Sequence, residues 1–218
     1  MRLGILGGTF DPVHLGHLRM ALETAEELTL DRMCLVPSSM PPHKGGTAEA
    51  SFADRTAMAR IAVRGAPLLD VLDLEGRRRG VSYTILTLRE LHDEYPGGLE
   101  LYFVVGTDAF FEIGTWKEYR SLFDYAHFVL IDRPGVSPGV LEPFIQDLDI
   151  GAIRTAPGVF RVGNSGNSLI RRQGTFMGVS STQVRDAVAR GKSIRFLVPE
   201  EVERYIIEKG LYLSHGES

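Results

Sequence analysis

Two periodicities alternate along the chain. The run "LGIL" (3–6) is apolar and bounded by glycines, as a short buried strand would be. From Leu15 the spacing changes: Leu18, Ala21, Leu22, Ala25 and Leu28 recur at helical intervals, with Arg19, Glu23, Glu26 and Glu27 between them. "MCLVP" (33–37) is a second strand closed by Pro37, and "SSMPPHKGG" (38–46) has the composition of a loop. Ser51 is placed to cap a helix over "FADRTAMARIAV" (52–63). "LLDVLDLE" (68–75) predicts a strand and "RRRG" (77–80) a charged turn. "SYTILTLRELHDEYPGG" (82–98) predicts a helix that stops at Pro96 and Gly97. "LELYFVVG" (99–106) is the strongest strand signal, and "AHFVLIDRPG" (126–135) predicts another strand with a turn. Residues 135–174 are rich in Gly, Ser, Pro and Asn and carry no assignable period. "GTFMGV" (174–179) then predicts a strand, "SSTQVRDAVARG" (180–191) a helix ending at Gly191, and "PEEVERYIIEKG" (199–210) a helix started by Pro199 and stopped by Gly210.

Strands alternating with helices predict parallel βαβ units: an α/β, Rossmann-like, doubly wound and mainly parallel sheet. The expectation is a single domain over 1–218, with 179–218 as its C-terminal helical part facing the opening motif. No internal repeat is present. Ligands of such sheets bind beyond the carboxyl ends of the strands. Three segments fall there: "GGTFDPVHLGH", "GTDAF" and "VSSTQVR".

Composition narrows the classes. The chain has 218 residues, 44% hydrophobic and 24% charged, which suits an ordinary globular core. A formal net charge of -4 provides no overall basic field for nucleic acid, so any anion site must be local. The lone Cys34 lies in an apolar run and reads as a buried core thiol. No apolar run approaches the roughly 20 residues of a membrane span, and the N-terminal run is too short for a signal peptide. The chain reads as a soluble cytoplasmic protein.

Two familiar phosphate motifs are absent. The glycines Gly4, Gly7 and Gly8 have the wrong spacing for a dinucleotide fingerprint, and "GKS" (191–193) follows a helix and has Asp186 where a Walker loop needs its first glycine. In the opening stretch, Gly7 and Gly8 let the backbone turn sharply and approach a ligand. His14 and His17 are three apart and share a helical face. If the helix begins near His14, both imidazoles stand beside its free N–H groups and positive dipole end, which is an anion site. The alternatives are two idle surface histidines, or a metal pair that lacks a third ligand. Lys44 is either a solvated loop lysine or a phosphate contact. Ser180, Ser181 and Thr182 are either plain caps or, with Arg185, a grip on a polyphosphate. Asp108 follows the strongest strand, where an acid commonly accepts ribose hydroxyls or approaches a metal. Trp116, the only tryptophan, is either core or a stacking platform for a flat ring.

"GGTFDPVHLGHL" resembles the signature of the nucleotidyltransferase superfamily with the H-x-G-H motif, and "VSSTQVR" resembles its second signature. With "PHK", "SYT", "GTDAF", "TWKEY" and "RPG" following in order, the chain resembles the bacterial nicotinate mononucleotide adenylyltransferases over nearly its whole length. The departures are Val179 in place of isoleucine and the unmatched segment 135–174.

The resemblance implies adenylyl transfer from ATP to nicotinate mononucleotide, with pyrophosphate released. It implies that His14, His17, Lys44 and Arg185 act at the reacting phosphates. It assigns ATP to Gly8, Thr9, Phe10, Gly106, Asp108, Ser180, Ser181 and Thr182 as well as His17 and Arg185. It assigns nicotinate mononucleotide to Thr84, Trp116, Lys117 and Arg133, with Trp116 stacked on the pyridine ring and no acidic side chain pointing into the carboxylate pocket. Mg²⁺ would arrive with ATP, with no dedicated metal cage in the protein. Neither nucleic acid nor membrane is an expected partner, and homo-oligomerisation stays open. Two other readings compete: the same chemistry on nicotinamide mononucleotide or another phosphate acceptor, and a non-catalytic nucleotide sensor.

Overall fold

The computed structural model describes residues 1–40, 48–78, 80–132, 138–163 and 165–213. The first half alternates strands and helices: β1 (Arg2–Gly8), α1 (Leu15–Glu27), β2 (Arg32–Pro37), α2 (Phe52–Ala62), β3 (Leu69–Val71), α3 (Leu74–Arg77), α4 (Thr84–Glu94) and β4 (Glu100–Gly106). There follow α5 (Thr107–Phe110), a 3-10 turn at Ile113–Thr115, α6 (Tyr119–Tyr125), β5 (His127–Ile131) and α7 (Pro138–Asp147). The chain continues through β6 (Ala152–Ala156), β7 (Val159–Val162), β8 (Ser168–Arg172), α8 (Ser181–Ala189) and α9 (Glu200–Lys209).

The strands form one sheet in the order β3-β2-β1-β4-β5-β8-β7-β6. All neighbours from β3 to β8 run parallel, while β8-β7 and β7-β6 are antiparallel. Both faces of the parallel part are covered, so its strands read as continuous apolar runs. Leu3, Ile5, Cys34, Val36, Phe103 and Phe128 pack on one face with α4 and α6. Leu6, Met33, Leu35, Val104 and Val129 pack on the other with Ala21, Met58, Val184 and Ile206, from α1, α2, α8 and α9. Burial pushes the Cys34 thiol up to about 12, which leaves it inert.

The caps explain the helix ends. Ser51 accepts the Asp54 N–H at 3.1 Å to start α2. Gly210, at φ 61°, ends α9 in the left-handed conformation.

Three expectations are corrected. Gly7 and Gly8 do not turn the chain: both lie in β1, opposite Val36 and Pro37, and the left-handed residue is Phe10 at φ 50°. What Gly8 provides is room, because a Cβ there would meet the Phe10 ring at 3.1 Å. Residues 174–179 are not a strand, because β8 already occupies the free side of β5. This irregular segment is held instead by Glu23, which accepts the Thr175 N–H at 2.8 Å and also its hydroxyl. The strand predicted over 68–75 is only Leu69–Val71, and the chain turns at Asp73, which accepts hydrogen bonds from Arg60 and Arg77.

Candidate active site

The carboxyl ends of the parallel strands carry two cavities. The larger is a cleft of about 450 Å³ whose walls include Thr9, Asp11, His14, His17, Ser180, Ser181, Thr182 and Arg185. His14 is the N-cap of α1 and is buried, and His17 sits one turn on, half-buried. Their rings stack at 3.6 Å with 24° between planes. The backbone N–H of His14 donates to Nδ1 of His17 at 3.3 Å. With Nδ1 accepting, a neutral His17 ring carries its proton on Nε2. Phe10 meets the His17 ring edge-on at 5.0 Å and fixes its plane.

The N-terminus of α8 closes the same cleft. Ser180 caps it by accepting the Gln183 N–H at 3.2 Å, and the Gln183 side chain returns the bond to Ser180 N at 2.8 Å. Ser181 Oγ donates to the Pro12 carbonyl at 2.9 Å, and Arg185 donates to the Asp11 carbonyl at 2.9 Å. Arg185 also pairs with Glu49 at 2.5 Å. Two helix N-termini, α1 and α8, thus converge on one opening, as a polyanion site requires.

A polar network beneath holds this geometry. Asp11 is 4% exposed, and its carboxylate accepts the Glu49 and Ala50 N–H groups at 2.7 and 3.1 Å. Arg55, 1% exposed, donates to the carbonyls of Thr9 at 2.5 Å, Ser38 at 2.9 Å and Ala50 at 3.2 Å. Burial lowers the Arg55 pKa and the nearby Asp11 carboxylate opposes that fall. Sequence reasoning passed over both residues. The available signal was a charged side chain on the same face of α2 as Met58 and Ala59.

The second cavity, about 220 Å³, is lined by Gly8, Thr84, Trp116, Lys117, Phe103 and Glu75 among others. Trp116 is half-buried, with its ring edge-on to Phe103 at 6.0 Å, so its place is a cavity wall rather than the sealed core. Thr84 opens α4, whose N-cap Tyr83 makes no side-chain cap, so free N–H groups face this region. Lys117 stands 4.7 Å over the Tyr83 ring. The cavity also carries an acid that the sequence reading did not place there: Glu75 is 9% exposed and lines it because α3 follows β3 directly.

Thr9 lines both cavities, so the end of β1 is their shared wall. The structure therefore gathers His14, His17, Thr9, Ser180, Ser181, Thr182 and Arg185 in the cleft, and Gly8, Thr84, Trp116 and Lys117 in the neighbouring cavity. Phe10 lies beneath the cleft at 2% exposure, and Gly106 and Asp108 line neither cavity. Lys44 and Arg133 lie outside the described residues.

A doubly wound sheet whose strand ends carry a cleft at two helix N-termini and an aromatic-walled cavity on either side of one residue has the layout of a nucleotide-handling α/β protein. Residues 5–187 match the cytidylyltransferase-like family model. A relative from Desulfatibacillum aliphaticivorans, named probable nicotinate-nucleotide adenylyltransferase, is 45% identical over 98% of this chain and 100% of its own. One from Geotalea daltonii with the same name is 41% identical over 97% and 98%. The solved structure of Plasmodium falciparum nicotinic acid mononucleotide adenylyltransferase complexed with NaAD shares the fold, with a TM-score of 0.74 and 17% identity over 97% of each chain. The chain belongs to the cytidylyltransferase-like family and, within it, to the nicotinate-nucleotide adenylyltransferases. It is a nucleotidyltransferase. Among the described residues no helix is long and apolar enough to cross a membrane.

Proposed function

We propose that the chain transfers the adenylyl group of ATP to the phosphate of nicotinate mononucleotide, giving nicotinate adenine dinucleotide and pyrophosphate. The observation that supports this most is Thr9, the common wall of the polyanion cleft and the aromatic cavity. A triphosphate in the first and a pyridine ring in the second would bring their phosphates together at the end of β1.

An oxygen of the acceptor phosphate attacks the α-phosphorus, the bond from that phosphorus to the bridging oxygen breaks, and pyrophosphate leaves with the electron pair. The nucleophile is already anionic at neutral pH, so no general base is needed. The protein positions two polyanions and neutralises the developing charge. His17 donates from Nε2 to the phosphates, and His14 supports its ring by stacking. Arg185 exchanges its partly exposed pair with Glu49 for phosphate oxygens. Lys44 and Arg133 are assigned to the phosphates on the family pattern.

Around the cleft, Asp11 accepts backbone N–H groups and Asp132 pairs with Arg171, while Glu49 holds Arg185 only until phosphate oxygens take its place. Among the described residues no group of three or more His, Cys, Asp or Glu could hold a metal. We assign Mg²⁺ to the bound triphosphate, where it would supply charge neutralisation. We assign the reaction to a single domain over 1–218.

One observation favours a second reading. The Glu75 carboxylate could accept from the amide of nicotinamide mononucleotide. Pyrophosphate release with ATP and Mg²⁺ is measured for the acid, the amide and a pantetheine phosphate acceptor. Highest kcat/KM for the acid is expected, and equal values for acid and amide would overturn the assignment.

A further inference from the structure

A buried carboxylate in a cavity assigned to a carboxylate-bearing ring needs a reason. Glu75 Oε1 accepts the Thr87 hydroxyl at 2.9 Å, and Oε2 has no hydrogen-bond partner among the described residues. Arg78 stands 3.9 Å from Oε1, but it donates to Thr87 at 2.6 Å and also pairs with Glu90 at 3.3 Å. Its charge is thus divided between two carboxylates. Arg55 also feels the Glu75 carboxylate, but it answers Asp11 first, and Oε2 of Glu75 stays without a hydrogen-bond donor on a side chain that lines the same cavity as Trp116. Leaving such a group buried is costly unless something cationic answers it.

A pyridine nucleotide supplies that cation. Its ring nitrogen carries three ring-and-ribose bonds to carbon and a formal positive charge, spread over the positions ortho and para to it. The ring's own carboxylate is best met by the exposed Lys117 and the open N-terminus of α4 at Thr84. Thr87, which holds Glu75, lies one turn further along that helix. The cavity thus offers both signs of charge to a ligand that carries both.

Resting on the acceptor reading above, we propose that Glu75 is the buried counter-charge for the pyridinium ring, so that the cavity selects charged over neutral rings of the same shape. Trp116 adds to the attraction through its face. On this proposal, unlike the second reading above, Glu75 faces the ring and not its substituent, so acid and amide feel it alike.

The test is titration calorimetry without ATP on wild type and Glu75→Gln, with three ligands. These are nicotinate mononucleotide, nicotinamide mononucleotide and the 3-carboxyphenyl C-nucleotide, which keeps shape and carboxylate but has no ring charge. Wild type should bind nicotinate mononucleotide roughly tenfold more tightly than the C-nucleotide. Glu75→Gln should weaken both pyridinium ligands by about the same factor, roughly five- to thirty-fold, and leave the C-nucleotide unchanged. Glu75→Asp, which keeps the charge, should retain most of the preference. Equal loss for all three ligands would make Glu75 a scaffold residue and overturn the proposal. A change confined to the acid-to-amide ratio would overturn it in favour of substituent reading. Wild type binding charged and neutral rings equally would overturn it even if the glutamine variant failed to fold. Binding of the amide but not the acid would sink the acceptor reading alone, and the charge comparison would then be read on the amide.

Discussion

Tyr212 donates its phenolic hydrogen to Asp11 at 2.8 Å, across 201 positions of sequence. The bond is buried, and it ties the segment after α9 to the loop that shapes the phosphate cleft. Burial and the Asp11 carboxylate both push the Tyr212 phenol upward, so it remains a donor at any working pH. Tyr212→Phe should cost about 1–2 kcal/mol by leaving one acceptor short, and Asp11→Ala about 2–4 kcal/mol by orphaning three donors. Urea denaturation measures both, and equal effects of the two variants would refute the network.

His17→Ala should lower kcat by about two to four powers of ten through loss of a donor at the transferring group. Its thermal melt should stay near wild type, because the ring lines a cleft. A normal melt with a normal rate would remove His17 from the mechanism. If His14→Ala proved the more damaging, the two would exchange roles.

Trp116→Ala should weaken nicotinate and nicotinamide mononucleotides together and leave their ratio intact, since both rings stack alike. Thr84→Val should shrink the ratio, because an unmatched polar contact near the carboxylate is worth about 1–3 kcal/mol. The kcat/KM values for both acceptors in each variant decide between wall and core roles for Trp116.

Glu23 fastens residues 174–175 through the Thr175 N–H and hydroxyl, and Thr175, Phe176 and Met177 form one wall of the cleft. Glu23→Ala should raise KM for ATP about three- to tenfold, equivalent to one or two lost hydrogen bonds of positioning, with kcat less affected. An unchanged KM would show the wall to be held by other contacts.

Burial lowers the His127 pKa below its ordinary 6.5, with Glu100 opposing and Arg2 assisting. The ring is neutral in the folded state, where Nδ1 accepts the Ser168 N–H at 3.0 Å. A depressed folded pKa means that the unfolded chain takes up the proton first. This contribution to stability is present above about pH 6.5 and is lost as pH falls toward the folded value. Between pH 7.5 and 5.5 wild type should lose more stability than His127→Gln, and parallel denaturation midpoints would contradict this.

Local chemistry made much of the architecture legible in the sequence. The apolar runs at 3–6 and 99–106, the Ser51 cap and the Gly210 stop each depend on neighbours a few residues away, and each appears where the pattern put it. Residues 138–172 were illegible for physical reasons. Pro143 stands inside α7, and β6 exposes four of its five residues, so no alternation marks it. The histidine pair and the Ser180 cap were readable as a site because both sit at helix starts. Glu75 was hidden in the run "LLDVLDLE", and Asp11, Arg55 and Tyr212 act through partners far away in sequence.

The two cavities that meet at Thr9 draw on very different lengths of chain. Among the described residues, those lining the aromatic cavity come from positions 5–117, whereas the phosphate cleft needs positions up to Arg185. On the ribosome, a nascent polypeptide elongated past Lys117 carries the described walls of the aromatic cavity but fewer than half of those of the phosphate cleft. Catalytic competence therefore arrives late in translation, when α8 emerges and docks onto Asp11 and Pro12.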